Sequence, residues 1–447
     1  MNNKIKQNSK FLLIYPGEFY SGNWGRKLSI KPHLVYIYQY LSRIFEVNLI
    51  DLENEFSKPK TSTELAVYKR NSLNRIFSFN FDVIALSCWS SLNYLPTRYF
   101  AEKIKKIKKN VIIIVGGYHP TLKPDDFEYF NSPFDYIIRG TIDNLLNTIG
   151  YNQVFSQPLF IEHPKFLKSY PYYDCQKSIG IYLSQGCPYS CKYCMEFKKK
   201  WKVLDVKKSI NLFYQIKKEL SPNYIYICDA CFGFDKKWRK EFLIGLTKYD
   251  INTYIWLETR VDLFDEEDFD LISQLNIKLD FGVDSFSQTM LKIMGKTIDP
   301  QKYLNKFLRL SKKCNDLKIL HDAYLIFNHP GETRKTLNEH HTFFNDKINS
   351  NLCNNYLRIR FQNYAHFPGT VTYNNIRYYS QKYGTKILYP FWWKSKKDHS
   401  FTSNNLIPSE GMKPSIETIK KITRKINKFN SKTIDNSLWE KFVKFNL

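Results

Sequence analysis

The sequence predicts an α/β protein in which two parallel sheets follow one another along the chain. Short apolar runs alternate with amphipathic helical stretches over most of the 447 residues. The runs are continuous in Val, Ile and Leu, as in strands that helices cover on both faces. The alternation stops in a stretch with several prolines and then restarts, which predicts two separate sheets.

This pattern divides the chain into four segments. We expect a Rossmann-like (flavodoxin-like) domain over residues 1–150, a linker over residues 151–175, a partial (β/α)6 barrel of the TIM type over residues 176–362, and a small, mostly helical C-terminal region over residues 363–447. Ligands of parallel sheets bind beyond the carboxyl ends of the strands. The residues that follow the predicted strands are therefore the first candidates for a functional site.

Each predicted element is a short run in the sequence. The strands of the first domain are Phe11–Tyr15, Val47–Leu52, Asp82–Ser87, Val111–Val115 and Phe134–Gly140, and its clearest helices are His33–Leu41 and Pro96–Lys109. The barrel strands are Ile179–Ser184, Tyr224–Ile227, Tyr254–Leu257, Lys278–Gly282, Ala323–Phe327 and Tyr356–Phe361. The C-terminal region holds an aromatic cluster, Tyr389–Trp393, and a basic amphipathic helix near Ile416–Phe429. Trp392 and Trp393 either cover a substrate or fill a core.

The composition of the chain bears on its partners and on its location in the cell. The net charge is +25, from 67 basic and 42 acidic residues, but the lysines are spread along the chain, so a nucleic-acid partner is not expected. The start of the sequence lacks an apolar signal region, and no apolar run approaches the about 18 residues that a membrane span needs. We therefore expect a cytoplasmic protein without a membrane span, in which thiols stay reduced.

Three cysteines directly follow the first barrel strand, in the stretch QGCPYSCKYCME. Cys187, Cys191 and Cys194 have the spacing C-x-x-x-C-x-x-C. A cubic 4Fe–4S cluster normally takes four thiolates, so three would leave one iron open, as in a catalytic metal site. A zinc site would need a fourth ligand, and none is evident nearby; a disulfide with a spare thiol does not suit a reducing compartment. The three thiolates are therefore the predicted metal ligands and catalytic residues.

The same stretch resembles the signature of the radical S-adenosylmethionine (SAM) enzymes, with Tyr193 before the last cysteine. The resemblance extends from about Ser178 to Thr370 through segments at successive strand ends. It implies that the open iron binds SAM and that an electron from the cluster cleaves SAM to a 5′-deoxyadenosyl radical. The residues that it implies as SAM contacts are Tyr193, Asp229, Glu258, Arg260, Asp284, Ser285, Asn328 and Gly331.

The N-terminal half resembles the cobalamin-binding subgroup of that family, through VGGYHP and RGTID. The resemblance implies cobalamin contacts from Ser87, Gly116, Gly117, His119, Arg139 and Gly140. Thr141 and Ile142 replace the usual acidic pair of the second motif. There is also no D-x-H-x-x-G sequence, so a histidine that would ligate cobalt from below is not visible.

Together these resemblances imply a cobalamin-dependent radical SAM methyltransferase (class B) that methylates an unactivated carbon of a small-molecule or peptide substrate. In that mechanism methylcobalamin delivers the methyl group, and an electron donor such as flavodoxin or ferredoxin reduces the cluster. A cyclase or oxidase of the same family stays open, as does, less favoured, a methylthiotransferase or a non-catalytic cobalamin sensor. The role of Cys228 and Cys231, as a redox pair, an auxiliary cluster site or plain structural residues, is also open.

Overall fold

The computed structural model describes residues 5–20, 31–151, 164–168, 170–172, 178–249, 253–349, 355–395, 406–407 and 412–433. It divides into two compact units. The first consists of Met1–Cys175, Phe367–Gly369 and Phe391–Ser400, and the second of Gln176–His366, Thr370–Pro390 and Phe401–Leu447. The four-segment division drawn from the sequence stays a prediction. Cys175, Cys353 and most of the predicted linker lie outside the described residues.

The first unit is built on a five-stranded sheet with the order β2-β1-β3-β4-β5, in which every pair of neighbours is parallel. Its strands are β1 (Lys10–Tyr15), β2 (Glu46–Asp51), β3 (Val83–Ser87), β4 (Ile112–Gly116) and β5 (Tyr136–Ile138). Its helices are α1 (Pro32–Leu41), α2 (Leu52–Phe56), α3 (Ser62–Phe77), α4 (Tyr94–Ile107), α5 (Tyr118–Leu122), α6 (Ile142–Thr148) and α7 (Lys165–Lys168). This flavodoxin-like strand order confirms the predicted fold.

The second unit is built on a six-stranded parallel sheet with the order β13-β12-β11-β10-β9-β6. Its main strands are β6 (Ser178–Ile181), β9 (Tyr224–Ile227), β10 (Tyr254–Thr259), β11 (Ile277–Asp284), β12 (His321–Phe327) and β13 (Leu357–Asn363). Two small antiparallel ribbons pair β7 (Ser184–Gln185) with β8 (Lys202–Val203) and β14 (Lys386–Ile387) with β15 (Leu406–Ile407). Because β6 and β13 are the two edges, the sheet is an open barrel, as predicted.

Helices alternate with these strands, as the sequence predicts. They are α8 (Val206–Leu220), α9 (Lys236–Thr247), α10 (Glu266–Ile272), α11 (Gln288–Ile293), α12 (Pro300–Asp316), α13 (Arg334–Phe343), α14 (Val371–Asn374), α15 (Ile376–Tyr383) and α16 (Met412–Thr433). No helix in the described ranges is long and apolar enough to cross a membrane.

Two predicted strands are too long: only Tyr136–Ile138 of the run Phe134–Gly140 form β5, and the first barrel strand also ends early. The run Ile179–Ser184 was expected to be a single strand, but β6 ends at Ile181. The backbone N–H of Leu183 instead donates to Asp229 Oδ1 at 2.8 Å, and the Ser184 hydroxyl donates to Asp229 Oδ2 at 2.6 Å. A buried carboxylate that follows β9 therefore captures the chain as it leaves β6, and the apolar pattern alone carries no sign of this.

The aromatic segment Phe391–Lys394 belongs to the first unit, although it lies late in the sequence. Trp392 and Trp393 are fully buried, and the Trp393 indole N–H donates to Asp126 Oδ2 at 2.7 Å. The same carboxylate pairs with the Lys394 ammonium at 2.6 Å and with His119 Nε2 at 3.0 Å. Burial raises the pKa of Asp126, but His119 and Lys394 outweigh it and leave that pKa below its ordinary value. The described contacts favour core filling as the role of both tryptophans.

Replacing Trp393 with Phe removes the indole donor from a buried carboxylate. We expect the first unit to lose about 1–3 kcal/mol of unfolding free energy, since a buried acceptor loses a hydrogen bond that nothing replaces. The measurement is the urea midpoint of the variant against the native chain. Phe391→Leu is the matched control, because Phe391 is half exposed in the same segment and its replacement should change the free energy by less than about 0.5 kcal/mol. Equal midpoints for the two variants would contradict this role of the indole.

Candidate active site

The loop that carries Cys187, Cys191 and Cys194 follows β6 and is fixed by backbone hydrogen bonds from distant parts of the second unit. The Lys192 N–H donates to the Met294 carbonyl at 2.9 Å, and the Lys192 carbonyl accepts from the Thr372 N–H at 2.9 Å. Gly186 enters the loop with φ +79°, and a Cβ there would lie 2.2 Å from the Lys200 carbonyl oxygen. The loop is therefore held by backbone contacts of the protein itself.

The loop thiols form the donor set that the cysteine spacing predicts. Cys191 is buried, and Cys187 and Cys194 are half-buried. A hydrogen bond from the Cys231 thiol lowers the pKa of Cys187 to about 7, whereas burial raises the pKa of Cys194 to about 12. Among the described residues, no group of three His, Cys, Asp or Glu side chains is close enough together for a single metal ion. The thiolates of a 4Fe–4S cluster each bind a different iron, so such a cluster does not need three thiols around one ion.

Cys228 and Cys231 do not act as a pair in this structure. The Cys228 thiol approaches the Tyr226 carbonyl at 3.6 Å, while Cys231 is buried against Cys187. Cys231 is therefore a neighbour of the loop that the sequence analysis did not assign to it. No local signal could have done so, since the contact depends on where β9 lies beside β6.

Arg260 joins the loop to β10. Its guanidinium donates to Cys191 Sγ at 3.5 Å, to both oxygens of Asp262 at 2.8 Å, and to the Lys296 carbonyl at 2.8 Å. It also lies over the Tyr189 ring, 3.7 Å from the centroid. This buried cation offsets the charge that three thiolates would carry, and the structure brings it to the loop as the sequence predicts.

A second buried cation, Lys296, reaches the same place from the segment after α11. Its ammonium pairs with Asp284 Oδ2 at 2.6 Å, and the Tyr193 hydroxyl donates to that oxygen. Burial opposes the charge on Lys296, but Asp284 outweighs it and raises the pKa of the ammonium. Tyr193 and Asp284 were predicted site residues, and they do come together. The sequence analysis did not include Lys296 among the site residues.

The remaining predicted SAM contacts differ in their burial and in the hydrogen bonds that they already make. Asp229 is buried, and its hydrogen bonds hold the exit of β6, with burial raising its pKa to about 6. The Ser285 hydroxyl accepts from the Ser287 N–H at 3.0 Å. Asn328 is buried with φ +61°, and its N–H donates to Glu332 Oε2 at 2.6 Å. Asp229 therefore orients the loop through its own contacts.

Two further predicted contacts lie apart from these. The Gly331 N–H donates to the Thr385 hydroxyl at 3.3 Å, so it helps to fix the turn before α13. Glu258 lies inside β10, two residues before Arg260, and its side chain is exposed. It is thus placed one layer deeper in the barrel than Arg260.

In the first unit, Ser87 and Gly116 pair at the carboxyl ends of β3 and β4. Gly117 follows with φ +124°, and a Cβ there would lie 2.3 Å from the Cys88 carbonyl oxygen, so the strand ends themselves require a glycine. Arg139 forms an exposed ion pair with Glu128, and the Gly140 N–H donates to the Thr121 hydroxyl at 2.9 Å. These predicted cobalamin contacts lie at or just after the carboxyl ends of β3, β4 and β5.

His119 is fully engaged within the first unit. Its Nδ1 lies 2.6 Å from the Ser91 hydroxyl and its Nε2 lies 3.0 Å from Asp126 Oδ2, and the side chain is buried. Neither ring nitrogen is left for a metal. We propose that His119 holds the segment after β4 in place through these two contacts.

An aromatic face that the sequence analysis missed lies at the end of β3. The Trp89 indole stacks on the His33 ring with centroids 4.1 Å apart and meets Tyr118 edge-on at 4.8 Å. His33 Nε2 is buried without a hydrogen-bond partner among the described residues. A flat ring surface with an unmet polar atom, beside the point where the strand order reverses, fits a large planar cofactor.

Comparison with known proteins identifies both domains. Residues 31–149 match the B12 binding domain, and residues 181–344 match the Radical SAM superfamily. The chain is a radical SAM protein with a B12-binding domain. These two domain types bring it three cofactors: a 4Fe–4S cluster and SAM at the barrel, and cobalamin at the first sheet. The donor set and the aromatic face described above fit them.

Similar proteins are distant in sequence. An uncharacterized methyltransferase of Pyrococcus horikoshii is 22% identical over 296 residues, which cover 58% of this chain and 63% of that protein. The radical SAM methyltransferase TsrM of Kitasatospora setae, in a structure with cobalamin and a 4Fe–4S cluster, has a TM-score of 0.66 at 13% identity, over 93% of this chain and 91% of that one. OxsB, a cobalamin-dependent SAM radical enzyme, has a TM-score of 0.56 at 16% identity, over 79% of this chain and 53% of that one.

Replacing Cys191 with Ala should abolish cluster binding, because two thiolates cannot hold three corners of a cube. The expected result is loss of bound iron and of the cluster's visible absorption after anaerobic reconstitution, with cobalamin retained by the first domain. Cys228→Ala is the control, since that thiol approaches a backbone carbonyl and not the loop. Iron loss of the same size in the Cys228 variant would contradict the three-thiolate assignment.

Replacing Lys296 with Met should weaken SAM binding about 10- to 100-fold, the range expected when a buried partner of a metal-site residue is lost. Asp284 would then be a buried carboxylate without its cation, and Tyr193 would lose its fixed position. The measurement is equilibrium dialysis of SAM against cluster-loaded protein. Lys296→Arg should restore most of the affinity, and Lys292→Met, an exposed lysine of α11, should have no effect. Unchanged affinity in the Lys296→Met variant would remove Lys296 from the site.

Proposed function

We propose that this protein is a cobalamin-dependent radical SAM methyltransferase that methylates an unactivated carbon of a small-molecule or peptide substrate. The observation that carries the proposal is the presence of both cofactor domains in one chain, at residues 31–149 and 181–344. A curated relative named as a methyltransferase supports it, although the chain spans only 63% of that relative's length. A small substrate is consistent with TsrM, one of whose structures holds tryptophan and a SAM analogue.

The chain's own residues prepare the site for this chemistry. When bound, the cluster with SAM supplies a carbon-centred radical, and cobalamin supplies the methyl group. Arg260 and Lys296 offset the negative charge of the thiolates, and Asp284 fixes the Tyr193 ring beside the loop. We further propose that the predicted SAM and cobalamin contacts act at these two sites, and that a flavodoxin or ferredoxin delivers the electron.

An aromatic and apolar cluster lies towards the amino ends of the barrel strands. Tyr224, Trp256 and Leu320 form a buried apolar cluster there, with Tyr226, Tyr254 and Tyr356 packed against it. A radical formed above this floor is shielded from one side by protein, which favours reaction with the bound substrate over side reactions with solvent.

Methyl transfer can be tested before the substrate is known. Reconstituted protein with hydroxocobalamin, SAM and a strong reductant should form both S-adenosylhomocysteine and 5′-deoxyadenosine. The first forms when the methyl group leaves SAM. The second forms when an electron from the reduced cluster breaks the bond between the sulfur and the 5′ carbon, methionine is released, and the 5′ carbon takes a hydrogen atom. Both products should be measured by mass spectrometry, with SAM labelled in its methyl group.

Two controls separate the candidate functions. Omitting cobalamin should stop S-adenosylhomocysteine formation and spare 5′-deoxyadenosine, while Cys191→Ala should stop the cleavage that gives 5′-deoxyadenosine. Formation of 5′-deoxyadenosine alone, with cobalamin bound, would instead support a cyclase or oxidase, and it would contradict the methyltransferase proposal. Formation of neither product by intact, fully loaded protein would support a non-catalytic cobalamin sensor.

A further inference from the structure

The inner face of the barrel carries an unusual set of charges. Side chains alternate along a strand, so the residues that point inward form rows across neighbouring strands. The inward charged residues of β10 to β13 are Glu258, Lys278, Asp280, Asp322, Arg358 and Arg360. The opposite face is apolar and completely buried, as at Leu257, Leu279 and Phe281. The charges therefore face the interior of the barrel, where an apolar core is the rule.

Most of these charges satisfy one another. Asp322 is fully buried, and its carboxylate meets Lys278 at 3.0 Å, Arg358 at 2.7 Å and Arg360 at 3.4 Å. Lys278 also pairs with Asp280 Oδ1 and lies over the Trp256 ring at 4.8 Å. The three cations of this inner face, Lys278, Arg358 and Arg360, therefore all form ion pairs with Asp322.

One carboxylate of this inner face keeps an oxygen without a donor in the described part of the chain, and a second carboxylate lies directly beside it. Glu258 and Asp280 are direct neighbours in the register of β10 and β11. Asp280 is 1% exposed, yet its Oδ2 has no hydrogen-bond partner among the described residues. No ion pair within the described ranges includes Glu258, whose side chain interacts with the hydroxyl of Tyr226. Like charges directly opposite each other on adjacent strands are destabilising, and so is a buried oxygen without a donor.

The electrostatics agree with this geometry. Burial raises the pKa of Asp280 to about 7, against the opposing effect of Lys278, and Asp322 and Glu258 raise it further. Asp280 therefore resists ionisation in this place. A positive group placed between Glu258 and Asp280 would remove the repulsion and supply the missing donor.

Glu258 is the accessible member of this pair. Glu258 is exposed although β10 has a strand on each side, so the barrel is open at its level. It is two residues before Arg260, about 6.6 Å along the strand, and Arg260 contacts Cys191. Below it, the aromatic rings of Tyr226 and Trp256 lie with centroids 4.7 Å apart. A substrate held here would lie between the thiol loop and the barrel floor.

We propose that Glu258 and Asp280 bind a protonated nitrogen of the substrate, an ammonium or a planar amidinium or guanidinium group. Such a group donates to Glu258 and to the free oxygen of Asp280, and the aromatic rings below favour a cation. The inference moves Glu258 from the SAM contacts to the substrate contacts. It rests on the proposed function only in that the bound molecule is the one that reacts.

The test uses protein loaded with cluster, cobalamin and SAM, and three probes of similar size: benzylamine, benzamidine and benzyl alcohol. Isothermal titration should show that at least one of the two cations binds about tenfold or more tightly than the neutral alcohol. Tighter binding of benzamidine would indicate a planar nitrogen group, and tighter binding of benzylamine an ammonium. Glu258→Gln and Asp280→Asn should each remove the preference for the cation and leave the affinity for the alcohol unchanged.

Glu267→Gln is the matched control, because Glu267 is a strongly exposed carboxylate on α10. Equal affinity for cation and alcohol in the native protein, or a cation preference that survives in both inner-face variants, would overturn the inference. Cobalamin and iron content should match native values in every variant, so that a folding defect is not read as lost binding. Cation binding without S-adenosylhomocysteine formation would contradict methyl transfer but not the nitrogen site. S-adenosylhomocysteine formation without a preference for the cation would contradict the nitrogen site but not methyl transfer.

Discussion

The candidate active site depends on the contacts that the Arg260 guanidinium makes. The guanidinium is buried, and it contacts a loop thiol, the Asp262 carboxylate, the Lys296 carbonyl and the Tyr189 ring. A guanidinium presents five N–H donors in a fixed plane, so it can hold three chain segments at defined angles in a way that a lysine cannot. Its charge also makes a cluster of thiolates tolerable in a buried place. Arg260 therefore both positions the loop and offsets its negative charge.

Much of the architecture could be predicted from the sequence because it is written in local patterns. Continuous apolar strands and the helices between them predict both parallel sheets, and the spacing of Cys187, Cys191 and Cys194 is visible within eight positions. The end of β6 could not be predicted from such a pattern. It depends on Asp229, which lies more than forty residues later in the chain and captures Leu183 and Ser184.

The contacts that complete the site are also long-range. Lys296 reaches Asp284 after an intervening helix, Cys231 meets Cys187 across two strands, and Trp393 binds Asp126 from 267 residues away. No periodicity records such pairs, because each partner alone is an ordinary lysine, cysteine or tryptophan. The charged interior of the barrel escaped the sequence analysis for the same reason: its residues alternate with apolar ones in runs that simply predict strands.

The return of Phe391–Lys394 to the first unit has a consequence for biosynthesis. Residues 31–149 leave the ribosome long before Trp393. The core around His119 and Asp126 therefore stays incomplete until the barrel has been translated and Trp393 and Lys394 are available. Domains usually complete their cores in order from the N-terminus, but here the last part of the first core is made after all six barrel strands. Folding of the two units is thereby coupled in time, and an N-terminal fragment expressed alone would lack an indole and an ammonium that its buried carboxylate requires.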